Sequence, residues 1–95
     1  MVTMVTYPES SLRGMRKLIL PAYEAGTPGV YGMDLDEIGR VVSVLDYMIS
    51  HCVNGRYSEA MPDGYAGIPQ ALKDAALRAG FRRMSVEEVN AWTPE

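Results

Sequence analysis

The chain has little cysteine and histidine and no long apolar run. Cys52 is its single cysteine and His51 its single histidine, so it can form neither an internal disulfide nor a Cys/His zinc site. One unpaired thiol is typical of proteins in reducing compartments. No stretch approaches the roughly 20 apolar residues of a membrane-spanning helix, and residues 1–10 lack the pattern of a signal peptide. We therefore expect a cytoplasmic protein with no membrane partner, metal or other cofactor.

Positive charge is also in short supply. The 95 residues include 9 Lys and Arg against 12 Asp and Glu, which gives a net charge of −3. General polyanion binders usually show a clear basic excess, so this balance argues against that class. Hydrophobic residues make up 47% of the chain and charged residues 22%, which is ordinary for a globular protein. The length predicts a single domain over residues 1–95.

The hydrophobic spacing predicts an all-α or mostly α fold, a small bundle of three to four helices. Residues 2–6 alternate weakly and should form either a short N-terminal strand or a frayed tail. The first helix is expected to begin at Thr6 or Tyr7, with Glu9 completing a capping box. Pro21 should bend or end this helix, and Gly26 should follow its last turn.

The second helix is expected from residue 34 to about residue 53. Asp34 and Glu37 have the spacing of a capping box, and Asn54-Gly55 makes a good C-terminal stop. A broad apolar arc and a narrow polar stripe indicate the central helix of the fold or half of a subunit interface. The β-branched segment "RVVSVL" leaves a strand as the alternative here. The arc consists of Ile38, Val41, Val42, Leu45, Met48, Ile49 and Cys52.

The last third of the chain predicts two more helices joined at a corner. Residues 56–67 should hold at most one helical turn and then a loop. A third helix should run from Pro69 to Gly80, with Phe81 making the apolar contact of a Schellman cap. Ser85 and Glu88 then form the capping box of a fourth helix.

This corner, "ALRAGFRRMSVEEVNAW", has the small and apolar spacing of a helix-turn-helix, so a DNA-binding regulator is one alternative function. Glu87 and Glu88 would meet the DNA phosphates, which disfavours it. The residues that could contact nucleic acid are Lys73, Arg78, Arg82 and Arg83. We weigh this hypothesis below a purely structural corner.

No motif for catalysis emerges, and we expect the protein not to be an enzyme. His51 and Cys52 are neighbours on a helix and point about 100° apart, so they do not face each other as a base and a nucleophile must. Cys52 continues the apolar arc, which predicts a core thiol. The acidic cluster at residues 34–37 is explained by helix capping, and "GTPGVYG" lacks the ending of a phosphate-binding loop.

Tyrosine is the abundant aromatic, with six residues against one Phe and one Trp. Tyr31, Tyr57 and Tyr65 lie beside glycines in the segments 26–33 and 56–67, and tyrosine is enriched at binding surfaces. We predict a non-enzymatic protein that binds a partner protein or assembles with itself through these tyrosines, with Arg56 and Arg82 as charged contacts. A chain this short, acidic and free of motifs fits an accessory or inhibitor protein of a virus or mobile element. A small-molecule or nucleotide binder, stacking a ring on the tyrosines, is a further alternative.

Overall fold

The computed structural model describes residues 2–62, 68–81 and 84–93, with side chains for residues 6–58, 68–81 and 84–93. The fold is a small, mostly helical bundle with a short N-terminal strand, as the sequence predicts. That strand belongs to a two-stranded antiparallel ribbon, which the sequence did not predict. The elements of the fold are β1 (Val2–Pro8), α1 (Glu9–Ala25), α2 (Leu35–Ser50), β2 (Arg56–Pro62), α3 (Gln70–Arg78) and α4 (Val86–Ala91). A 3-10 turn, Val30–Gly32, lies between α1 and α2.

α1 begins at Glu9, and no side chain caps it. The predicted Thr6–Glu9 capping box is wrong because Thr6 belongs to β1, where its hydroxyl lies 2.9 Å from that of Ser58. The Glu9 N–H donates instead to the carbonyl of Gly55 at 2.8 Å. α1 continues past Pro21 to Ala25 and ends at Gly26, whose φ of 65° is left-handed.

α1, rather than α2, is the central helix, since it contacts α2, α3, α4 and β1. α2 has the predicted Asp34–Glu37 capping box, and "RVVSVL" lies within it as helix. However, α2 buries one face only, because Ile49 and Cys52 lie half-buried at its margin. The buried face consists of Ile38, Val41, Val42, Leu45 and Met48.

The segment 56–62 is strand β2, which corrects the prediction of one helical turn and a loop; residues 63–67 lie outside the described part. β2 pairs antiparallel with β1, in a register running from Val2↔Pro62 to Pro8↔Arg56. α2 ends at Ser50, so the Asn54-Gly55 pair is not a helix stop. Asn54 and Gly55 have φ angles of 55° and 77° and form a two-residue turn, after which the chain runs antiparallel to β1 as β2.

The corner between α3 and α4 has the predicted local chemistry. Gly80 is left-handed, and the Phe81 N–H donates to the carbonyl of Ala76 at 3.1 Å, as in a Schellman motif. Phe81 is buried and meets Trp92 edge-on, with ring centroids 4.2 Å apart. Ser85 and Glu88 form a capping box at the start of α4. Among the described helices, none has the length and apolarity to cross a membrane.

Candidate interaction surface

A groove of about 600 Å³ lies where the starts of α1 and α4 meet the turn before β2. We call it the hairpin groove. It is lined by Thr6, Pro8, Glu9, Ser10, Asn54, Gly55, Arg56, Met84, Ser85 and Val86. Three separate parts of the chain build it, so its shape depends on tertiary packing rather than on one local motif.

The turn places Val53 and Arg56 side by side on this surface. Their backbones exchange two hydrogen bonds, Val53 N–H to Arg56 O at 2.7 Å and Arg56 N–H to Val53 O at 3.2 Å. Directly opposed residues of an antiparallel pair project their side chains from the same face. Val53 therefore extends the surface of the groove beside Arg56.

The exposed surface of the groove is mostly apolar, with the polar side chains of Thr6, Asn54 and Ser85 and the cation Arg56 at its margin. Val53 is 68% exposed and Val86 is 44% exposed. Arg56 is exposed, and among the described side chains no acid pairs with it. Glu9, the acid of the groove, is held by Arg13, whose Nε lies 2.8 Å from the carboxylate. The groove thus presents valine side chains beside a guanidinium that has no partner in the described part of the chain.

The α4 wall of the groove is held rigidly against α1. Lys17 on α1 donates from its Nζ to the carbonyls of Val89 and Asn90 at 2.9 and 3.1 Å. These carbonyls lie at the C-terminal end of α4, where a cation is also favoured by the helix dipole. The same ammonium lies 5.9 Å from the centre of the Trp92 ring. Val86 is consequently presented on a braced helix.

The predicted anchor residues do not gather at one place. Tyr57 is 2% exposed and packs in the core, so it cannot serve as the surface anchor that the sequence predicts. It pairs with Tyr7 across the ribbon, and its ring meets that of Tyr47 edge-on at 6.4 Å. Tyr31 is half-buried against the core with a left-handed φ of 52°, and it does not line the hairpin groove. Arg56 alone of these lines the groove; Tyr65 and Arg82 lie outside the described residues.

Of the residues predicted to contact nucleic acid, the two that the structure describes, Lys73 and Arg78, lie at different places. Lys73 lies with its Nζ 5.8 Å from the centre of the Tyr7 ring. Arg78 is exposed at a different cleft, which it shares with Leu18 and Trp92. Arg82 and Arg83 lie outside the described residues.

The first turn of α4 would be the reading end of a recognition helix. It exposes Glu87 and Glu88. The helix is six residues long.

Cys52 is a half-buried packing residue at the margin of the core. Burial raises the pKa of its thiol, and the nearby Glu9 carboxylate raises it further, while Arg13 opposes the shift. The thiol donates to the carbonyl of Met48 at 3.4 Å. A nucleophilic cysteine needs the opposite shift. Among the described residues, no three His, Cys, Asp or Glu side chains are grouped to hold a metal ion.

Sequence reasoning missed two exposed valines, Val53 opposite Arg56 and Val86 in the lining of the groove. The Asn54-Gly55 dipeptide was the available clue, because it favours a two-residue hairpin turn. Assigning it to a hairpin would have placed Val53 opposite Arg56. No family model, curated protein or solved structure matches the chain.

Proposed function

We propose that the protein is a non-enzymatic interaction module that binds a segment of a partner protein in the hairpin groove. The segment carries an apolar side chain next to an acidic one. The observation that carries this proposal is Arg56, a guanidinium without an acidic partner among the described side chains, which lines the groove with the exposed Val86 and pairs through its backbone with the exposed Val53. An apolar centre with an arginine contact is typical of protein interfaces.

The form of the groove favours a peptide segment over an enclosed small molecule. It is an open trough between three elements, and its volume of about 600 Å³ suffices for a few side chains. Its walls are fixed by the tight turn and by the Lys17 contacts, so little ordering is required when a partner binds. Such a module acts as an accessory or inhibitor protein by occupying the partner's surface. In the cytoplasm its single thiol would stay reduced.

The test is selection from a random peptide library displayed on phage, with the full chain as bait. Wild-type protein should enrich peptides with Asp or Glu next to Leu, Ile or Phe. Arg56→Glu should lose these peptides and enrich basic ones. A charge-assisted hydrogen bond contributes roughly 1.5–3 kcal/mol, so the best wild-type peptide should bind Arg56→Glu at least about tenfold more weakly.

Arg40 provides the matched control, since it is an exposed arginine on α2 outside the hairpin groove. Arg40→Glu should select the same peptides as the wild-type chain. Val86→Asp should weaken the selected peptides without reversing their charge preference. If wild type and Arg56→Glu enrich the same motif, or if no motif is enriched, the groove is not the binding surface.

A further inference from the structure

The outer edge of β1 is a second surface, which adjoins the hairpin groove at Thr6 and Pro8. The described part of the chain contains a two-stranded sheet, in which β1 pairs with β2 on one side. No third strand within residues 2–62, 68–81 and 84–93 covers its other side. An uncovered strand edge offers a row of N–H and C=O groups to another strand.

The register determines which backbone groups of β1 point outward. Arg56 exchanges its backbone hydrogen bonds with Val53, so its N–H and C=O point away from β1. The N–H and C=O groups of successive residues point to alternate sides of a strand, so those of Tyr57 point toward its partner Tyr7. In β1 the residues at positions 3, 5 and 7 therefore bond to β2, and those at positions 2, 4, 6 and 8 point outward. Pro8 and Pro62 both fall at outward positions, where their missing N–H costs no ladder bond.

Apart from Pro8 at its end, β1 itself has none of the charges, prolines or bulges that natural proteins place on an edge strand to prevent strand pairing. β1 contains no charged residue. Its register with β2 runs without a bulge from Val2 to Pro8, and its proline stands only at the last position. At the other edge of the ribbon, by contrast, the backbone N–H and C=O of Arg56 are already hydrogen-bonded to Val53. β1 is consequently the edge open to another chain.

We propose that β1 pairs antiparallel with β1 of a second copy of this chain, forming a four-stranded sheet about a two-fold axis. The strand suits its own copy. Residues 2–6 read "VTMVT", which in reverse is "TVMTV". In an antiparallel pair centred on Met4, each of the other four residues therefore places a valine opposite a threonine of the second copy. In this register only position 4 faces its own copy, and no position of β1 carries a charge that a second copy would have to accommodate, whereas β2 contains Arg56 and Glu59. A two-stranded ribbon alone is marginally stable, and two added strands remedy this.

The test is the mass of the full chain by sedimentation equilibrium, over concentrations up to several hundred micromolar. The wild-type chain should show twice its 10.5 kDa. Met4→Lys and Met4→Glu each place like charges at the two-fold axis and should raise the dissociation constant at least tenfold. An equimolar mixture of the two variants should recover the dimer, because unlike charges then face each other. That recovery also shows that both variants fold.

Thr6→Lys is a second disrupting variant, since Thr6 is an exposed outward position of β1. Ser58→Lys is the matched control on β2, and it should leave the dimer intact. A wild-type chain that stays at 10.5 kDa throughout would overturn the proposal and leave the edge to a foreign strand. A dimer that persists in Met4→Lys and Thr6→Lys would overturn it too, because it must use another surface. Neither result bears on the hairpin groove.

Discussion

The contact between Gly14 and Phe81 shows how one missing side chain organises the packing of this protein. Gly14 lies in the middle of α1, where glycine is ordinarily unfavourable. A Cβ atom at this position would lie 2.5 Å from Cγ of Phe81, well inside contact distance. The ring of Phe81 thus occupies the space that a side chain on α1 would fill. The corner between α3 and α4 can approach α1 only because residue 14 is glycine.

Gly14→Ala should lower the free energy of unfolding by roughly 1–3 kcal/mol, since overpacking a buried contact displaces the ring. Urea denaturation measures this. Gly39→Ala is the matched control in α2, where the added Cβ would meet only Cε1 of Tyr23 at 3.6 Å. That variant should gain roughly 0.5–1 kcal/mol from helix propensity. Equal effects of the two substitutions would contradict the packing role of Gly14.

The Cys52 thiol predicts a dependence of stability on pH. Its pKa is raised in the folded protein, chiefly by burial. A raised pKa disfavours the thiolate in the folded state, so stability is unaffected below the unfolded pKa of about 8.5 and falls as the pH rises above it. Compared with Cys52→Ser, which does not ionise, the wild-type chain should lose stability between about pH 8 and pH 10. Urea denaturation across this range tests it; an unchanged difference between the two proteins would contradict the shift.

At the scale of the elements, the turn at Asn54-Gly55 connects three parts of the structure. It follows the segment after α2 and leads directly into β2. The carbonyl of Gly55 also accepts a hydrogen bond from the N–H of Glu9, the first residue of α1. Both turn residues are left-handed, which costs most side chains roughly 1–2 kcal/mol. Asparagine and glycine tolerate this conformation. The turn therefore sets the pairing of β1 with β2 and the shape of the hairpin groove.

Asn54→Ala should destabilise the protein by roughly 1–2 kcal/mol, because alanine resists a left-handed φ. Asn54→Gly should be close to neutral, since glycine adopts it freely. Thermal unfolding followed by circular dichroism compares the two variants. Equal losses would mean that the Asn54 side chain matters, rather than the backbone conformation of the turn.

Local capping motifs could be predicted from the sequence, whereas long-range strand pairing could not. The Asp34–Glu37 and Ser85–Glu88 capping boxes and the Schellman cap at Gly80 depend on residues a few positions apart, and all three are present. β2 was missed because its partner is remote: the hydroxyls of Thr6 and Ser58 meet across 52 positions. The burial of Tyr57 follows from the same pairing. The hairpin groove was likewise beyond prediction, since three distant segments build it.

For the whole molecule, charge bears on the alternative of DNA binding. The chain has a net charge of −3, and the start of α4 exposes Glu87 and Glu88. Affinity for DNA depends on phosphate contacts made by cations. The described cations include Lys17, whose ammonium is engaged with α4, and Arg13, which pairs with Glu9. We therefore expect the start of α4 to be a poor electrostatic surface for a duplex.

We expect no binding of a labelled random-sequence DNA duplex in fluorescence anisotropy, even at about 50 mM salt, where phosphate contacts are strongest. Glu87→Lys combined with Glu88→Lys supplies a comparison, because it makes the same helix start basic. That double variant should bind weakly and lose the duplex as salt is added. Binding by the wild-type chain with a steep salt dependence would contradict the prediction and favour the helix-turn-helix hypothesis.

The ribbon of β1 and β2 extends from the hairpin groove in one direction, so its far end is a suitable attachment site for a label. β1 leads from Pro8, beside the groove, to Val2 at its far end. A strand rises about 3.3 Å per residue, so a fluorophore or affinity tag joined ahead of Val2 would be held about 20 Å from Arg56. Such a tag could tether the protein to a sensor surface with the groove still facing solution. The same tag would crowd the nearby edge of β1.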